Sequence, residues 1–156
     1  MKKIEITVYA FSELSDKAKA KVLSQFCDIN VDYDWWQFTY EDAERIGLKI
    51  AGFDCERRNV KLELCISIED CCAKIIAEHG EGCDTYKLAQ ETLTSLQGIE
   101  EDSDDYDYIS SEFLRDISEC YISMLREEYE YLTSEEAIIE TIAANNYTFL
   151  ENGTQY

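Results

Sequence analysis

The sequence predicts an α+β fold, a small antiparallel sheet packed by several helices with a helix-rich C-terminal half. Three observations predict it. Apolar and polar residues alternate only in short stretches, at 4–8, 49–54 and 60–67, which is the period of half-buried strands. The last two stretches lie a few residues apart, so they pair as a hairpin and not through a crossover. Elsewhere apolar residues recur every three or four positions, most persistently at Ile109, Phe113, Ile117, Cys120, Tyr121, Met124 and Leu125, the mark of a long helix with one buried face. With 156 residues, 46% of them hydrophobic, the chain is expected to form one globular α+β domain over 1–156, with a weak internal boundary near 98–107.

Taken in order, Ile4, Ile6 and Val8 alternate with Glu5 and Thr7 as a first strand. Ser15 caps a helix whose face is Ala18, Val22, Leu23 and Phe26, with Lys17, Lys19 and Lys21 outside it. A second helix begins near Asp34 or Trp35 and ends at Gly47. Strands at 49–54 and 60–67 follow, joined by Cys55 to Asn59, with Leu62, Leu64 and Ile66 facing one way. Ser67 and Asp70 resemble a capping box for a helix with Ile68, Cys71, Cys72, Ile75 and Ile76 inside, stopped at Gly80. Asp84 is placed as the cap of the next helix, where Leu88, Ala89, Leu93 and Leu96 point inward before Gly98. After the long helix at 108–131, Thr133 with Glu136 makes a second capping box ahead of Ala137, Ile138, Ile142 and Ala143. Asn152-Gly153 signals a tight turn in a small terminal hairpin. Proline is absent, and no glycine-serine linker or internal repeat interrupts the chain.

Charge excludes more than it identifies. The formal net charge is −20, far beyond what solubility requires. Half of it lies between Ile99 and Tyr131, where twelve acidic residues face only Arg115 and Arg126, a balance of −10. That sign opposes direct binding to nucleic acid or to an anionic membrane, which need lysine and arginine against phosphates. It suits a basic protein surface. Seven scattered cysteines with no leader before the first strand read as reduced thiols, and no apolar run approaches the roughly 18 residues of a membrane span, so a cytoplasmic protein is expected.

The chemistry-bearing clusters are weak by comparison. Cys71, Cys72, His79 and Cys83 are types that zinc accepts, but Cys72 and His79 are about two helical turns apart, roughly 10 Å. Buried thiols explain Cys71 and Cys72 as well. His79 beside Gly80 suits a helix C-terminus, and a Cys83–His79 dyad has no orienting partner or oxyanion donor that the sequence identifies. Asp32 and Asp34 beside Trp35 and Trp36 suggest a sugar or metal site, yet acidic residues at a helix start need no such explanation. No glycine-rich phosphate loop occurs. The expectation is therefore a protein without catalytic residues, metal or cofactor.

The acidic helix carries the sharper reading. Duplex DNA shows about one charge per 1.7 Å of axis. Residues 108–131 as a helix extend about 36 Å, preceded by an acidic run at 100–107 expected to be flexible. The candidate partner-binding residues are Glu100, Glu101, Asp102, Asp104, Asp105, Asp107, Glu112, Asp116, Glu119, Glu127, Glu128 and Glu130. Asp84, Glu91, Glu135, Glu136 and Glu140 are available to fill the array. The result would be a phosphate mimic; the alternative is an acidic surface that only solvates the fold.

Several stretches bear on ancestry: residues 14–20, the Asn30-Val31-Asp32-Tyr33-Asp34-Trp35-Trp36 run with residues 40–43, Gly47 to Ile50 with Phe53-Asp54, Ala77 to Glu81 with Thr85-Tyr86, and 125–153. Together they resemble a family of small acidic proteins from phages, prophages and mobile elements, sometimes labelled antitoxin-like; the run at 100–107 lies outside the resemblance. Taken with small size, strong acidity and no catalytic constellation, the resemblance points by analogy to a non-enzymatic protein that inhibits a host defence or nucleic-acid-handling protein, whether a nuclease, a restriction or CRISPR component, or a toxin. It carries over no residue roles. Two alternatives are an antitoxin-like partner acting through an aromatic surface at Trp35, Trp36 and Tyr40, and a small enzyme using His79 or a carboxylate pair.

Overall fold

Six α-helices and one two-stranded antiparallel sheet make up the computed structural model, which describes residues 1–156. The fold is α+β, as the pattern predicts. In chain order the elements are α1 (Asp16–Gln25), α2 (Gln37–Arg45), β1 (Leu48–Asp54), β2 (Asn59–Leu64), α3 (Ile68–Glu78), α4 (Asp84–Leu96), α5 (Asp104–Leu132) and α6 (Glu135–Ala144). The chain divides into two compact units, Met1–Trp35 with Glu128–Tyr156, and Trp36–Glu127. Residues 98–107 lie inside the second.

In the first unit Ser15 starts α1 by accepting the Ala18 N–H on its Oγ at 3.2 Å. The helix then buries Ala18 and Val22 against Leu14, Ile138, Ile142 and Phe149. The cap of α6 is Ser134, one residue later than expected, because the Thr133 hydroxyl donates instead to the Tyr129 carbonyl at 2.8 Å. Asn30 is buried but fully used: its amide donates to the Leu132 carbonyl at 2.9 Å, and its Oδ1 accepts from Thr141 at 2.6 Å. Trp35 is also buried, 7% exposed with its ring 5.6 Å from that of Tyr129.

The first predicted strand does not form. Tyr9 alone pairs, exchanging both backbone hydrogen bonds with Phe149 at 2.8 Å, while Ile4, Ile6 and Val8 are 75%, 50% and 38% exposed. Alternation becomes a strand only beside a ladder partner, and the C-terminal segment turns away just past Phe149. There the Gly153 N–H donates to the Leu150 carbonyl at 2.9 Å, and Phe149 pairs with Gln155, so the Asn-Gly turn is present in a minimal hairpin. Gly153 sits at φ +85°, and a Cβ on it would lie 2.8 Å from the Ala18 carbonyl oxygen. Gly153→Ala is expected to destabilise the protein by about 2 kcal/mol or more, read as a lower urea midpoint at unchanged slope.

In the second unit α2 starts at Gln37, later than the pattern suggests, because residues ahead of it form a turn in which the Trp35 N–H bonds the Tyr33 carbonyl at 2.8 Å. Gly47, at φ +85°, ends the helix where a side chain would collide with Ile66. β1 and β2 pair from Leu48↔Leu64 to Asp54↔Asn59, with an irregularity between Ile50 and Gly52. Asp54 closes the hairpin by accepting the N–H groups of Glu56 and Arg57 at 3.0 and 3.1 Å. Ser67 caps α3, which buries Ile68, Cys71, Cys72 and Ile75. Helix α4 buries Thr85, Ala89, Thr92 and Leu96, and α5 buries Phe113, Ile117, Tyr121, Ile122 and Leu125. Ile122 therefore joins the inner face of α5, whereas Cys120 and Met124 are only half-buried.

Candidate functional site

The acidic run is more ordered than its composition suggests. Residues 104–107, expected as a flexible lead, are the first turn of α5. Ser103 starts it, its Oγ accepting from the Tyr106 N–H at 3.1 Å and donating to the Glu100 carbonyl at 2.6 Å. Asp104, Asp105 and Asp107 then sit at the positive end of the helix dipole, where carboxylates are favoured. The Tyr106 hydroxyl donates to Glu69 Oε2 at 2.9 Å and ties this turn to α3; burial and the Glu69 carboxylate push it up to about 12, so it stays a donor.

Arginine occupies the middle of the face. Arg115 forks onto Glu112 at 3.0 and 2.5 Å and reaches Asp116 at 3.1 Å. Arg58, from the hairpin loop, bonds Glu119 and the Ser123 hydroxyl, each at 3.1 Å. Glu100, Glu101, Asp102, Asp104, Asp105, Asp107 and Glu127 make no ion pair. Of the remaining candidates, Glu128 and Glu130 belong to the first unit, on the last turns of the helix.

A cavity of about 700 Å³ opens in the second unit. The end of α3 supplies Glu78 and His79, the start of α4 Cys83, Asp84 and Thr85, and α5 Glu119, Cys120, Ser123, Met124 and Glu127, with Asp42 from α2. Five of these are carboxylates, and no lysine or arginine lines the space. Cys120 and Met124, which the helical period assigns to the core, form part of this wall instead.

Through the cavity wall runs a chain of hydrogen bonds. The His79 side chain is 9% exposed, with Nε2 3.2 Å from Asp42 Oδ1 and Nδ1 2.6 Å from Thr85 Oγ1. Tyr121, fully buried, donates its hydroxyl to Asp42 Oδ2 at 2.8 Å. The His79 hydrogen bond holds the Asp42 carboxyl below its ordinary value, against the desolvation that would raise it; the Tyr121 bond adds to the lowering. Burial raises the Tyr121 phenol far above its usual range. His79 is the C-cap residue of α3, as the sequence suggests, but its ring is engaged by Asp42 and Thr85.

The other candidate clusters come apart. Cys71 and Cys72 lie on the inner face of α3, where burial pushes their thiols up to about 11 and about 12, and no group of three or more His, Cys, Asp or Glu is arranged to hold a metal ion. All seven cysteines are free. Iodoacetamide at pH 8 is expected to alkylate exposed Cys65 and Cys83 in the native protein and to reach Cys71 and Cys72 only after unfolding, as peptide mass spectrometry would show. Trp35, proposed as part of an aromatic surface, is core; Trp36 packs edge-on to Phe53 at 5.7 Å and beside Tyr40 at 6.4 Å. Asp32 and Asp34 are exposed and do not line the cavity. No helix is long and apolar enough to cross a membrane.

No protein-family model, curated protein or solved structure matches this chain. Asp42, Thr85 and Tyr121 are the site residues that sequence reasoning missed. The one available signal was His79 itself, whose partners stand 37 residues upstream and 6 downstream.

Proposed function

We propose that this protein is an interaction protein whose acidic face, centred on α5, docks the basic surface of a DNA- or RNA-handling protein and competes there with the natural polyanion. One observation carries the reading: the 29-residue helix α5 and the turn before it present Glu100, Glu101, Asp102, Asp104, Asp105 and Asp107 on ordered backbone with no cation paired to them. At about 1.5 Å per residue the helix is about 43 Å long, comparable to some 25 DNA charges at the spacing of a duplex. The protein's array is sparser than that, so it imitates a patch of backbone and not a full duplex. The resemblance to acidic phage and mobile-element proteins supports a host nuclease, a restriction or CRISPR component, or a toxin as the partner class.

Attraction between opposite fields makes association fast and salt-sensitive. The test is capture of the partner from host lysate at low salt, followed by competition against duplex DNA across a salt series. Affinity is expected to fall about tenfold or more between 50 and 200 mM salt, and a D104N/D105N/D107N variant should bind more weakly while folding normally. Binding equally tight at every salt concentration, undisplaced by DNA, would overturn the proposal.

A further inference from the structure

We propose that His79, oriented by Asp42, activates the Thr85 hydroxyl for acyl transfer from a cationic carboxylic ester held in the cavity of the second unit. The proton positions follow from the neighbours. Asp42 is ionised and only accepts, and its Oδ2 is already taken by the Tyr121 hydroxyl at 2.8 Å. Its Oδ1 therefore receives the Nε2–H of His79 at 3.2 Å. That tautomer leaves a lone pair on Nδ1, 2.6 Å from Thr85 Oγ1, so the hydroxyl donates to the ring. The proton order is that of the carboxylate–imidazole–hydroxyl relays that drive acyl transfer, with the two ring nitrogens exchanged.

Two further features fit the same chemistry. Thr85 lies in the first turn of α4, and the preceding Cys83 makes no capping hydrogen bond. The first-turn N–H groups beside the nucleophile therefore have no side-chain acceptor and are free to receive an oxyanion. The cavity sets the substrate's charge. Glu78, Asp84 and Glu127, which make no ion pair, repel phosphates and carboxylates, and attract an acyl group carrying an ammonium or guanidinium.

The reaction balances with water alone. Thr85 Oγ1 bonds to the ester carbonyl carbon as its proton passes to His79 Nδ1. The bond to the alcohol then breaks and that proton goes to the departing oxygen, leaving an acyl-threonine. Water attacks the same carbon, giving its proton to Nδ1, and Oγ1 leaves with it, releasing the carboxylic acid.

The test mixes the full chain with 4-nitrophenyl 4-guanidinobenzoate, a cationic activated ester. Expected are a burst of about one nitrophenolate per chain, as one nucleophile per cavity dictates, and an acyl group located on Thr85 by peptide mass spectrometry. Thr85→Ser should keep the burst, and His79→Ala should slow it about 100-fold. Neutral 4-nitrophenyl acetate should acylate about tenfold more slowly. Circular dichroism establishes that each variant is folded. No acylation of the folded wild-type chain above buffer, or an acyl group on Cys83 or a lysine in place of Thr85, overturns the proposal. The assay contains no partner protein, so its outcome is independent of the acidic-face reading.

Discussion

Phe113→Ala is expected to lower stability by about 3–5 kcal/mol, the usual cost of emptying a fully buried aromatic site. Phe113 is 1% exposed on the inner face of α5. The folded state of a domain this size has only about 5–15 kcal/mol to lose, and here a charge of −20 already works against compaction. The urea midpoint should therefore drop steeply at low ionic strength, with the variant partly unfolded before denaturant is added. Added salt should restore part of the loss, because the Debye length shortens to about 10 Å at 0.1 M and self-repulsion is screened. A Phe113→Ala protein as stable as the parent at low salt would mean that α5 is not held by its apolar stripe.

Asp42→Ala should cost less but report more. It strands the Tyr121 hydroxyl, a buried donor whose loss of partner costs about 1–3 kcal/mol, and frees His79 Nε2 as well. Tyr121→Phe removes the donor along with its need, so it should cost about 1 kcal/mol. In the double variant the penalties should not add, and a double-mutant cycle gives their coupling. The same carboxylate makes stability depend on pH. Its folded pKa is lowered, so its contribution is complete above the ordinary value of 3.8 and is lost as pH falls through the lowered folded value. Asp42→Asn should flatten the urea-midpoint profile in that acidic window.

Local signals in the sequence translated well where one short segment suffices. Ser15 and Ser67 cap the helices that follow them, and the two strands beyond Gly47 pair as a hairpin. Where the outcome needs a distant partner, the same signals mislead. Residues 4–8 alternate correctly yet have no ladder beside them, and Thr133 spends its hydroxyl on Tyr129, leaving the cap to Ser134. Buried polar residues were the least visible: Thr85 and Thr92 face inward on α4 although no hydrophobic period marks them. The acidic face was legible as charge, but its neutralisation at Glu119 depends on Arg58, 61 residues away in a loop. The cavity was not legible at all, because its wall draws on four helices or their ends and its central hydrogen bonds join residues whose spacing follows no local period.

The unpaired opening stretch has a practical use. Backbone pairing begins only at Tyr9, and the residues before it are exposed through Glu5 and Ile6. Their amides should exchange with deuterium at the rate of a free peptide. A biotinylated peptide or a surface tether added ahead of Met1 should therefore leave both units folded.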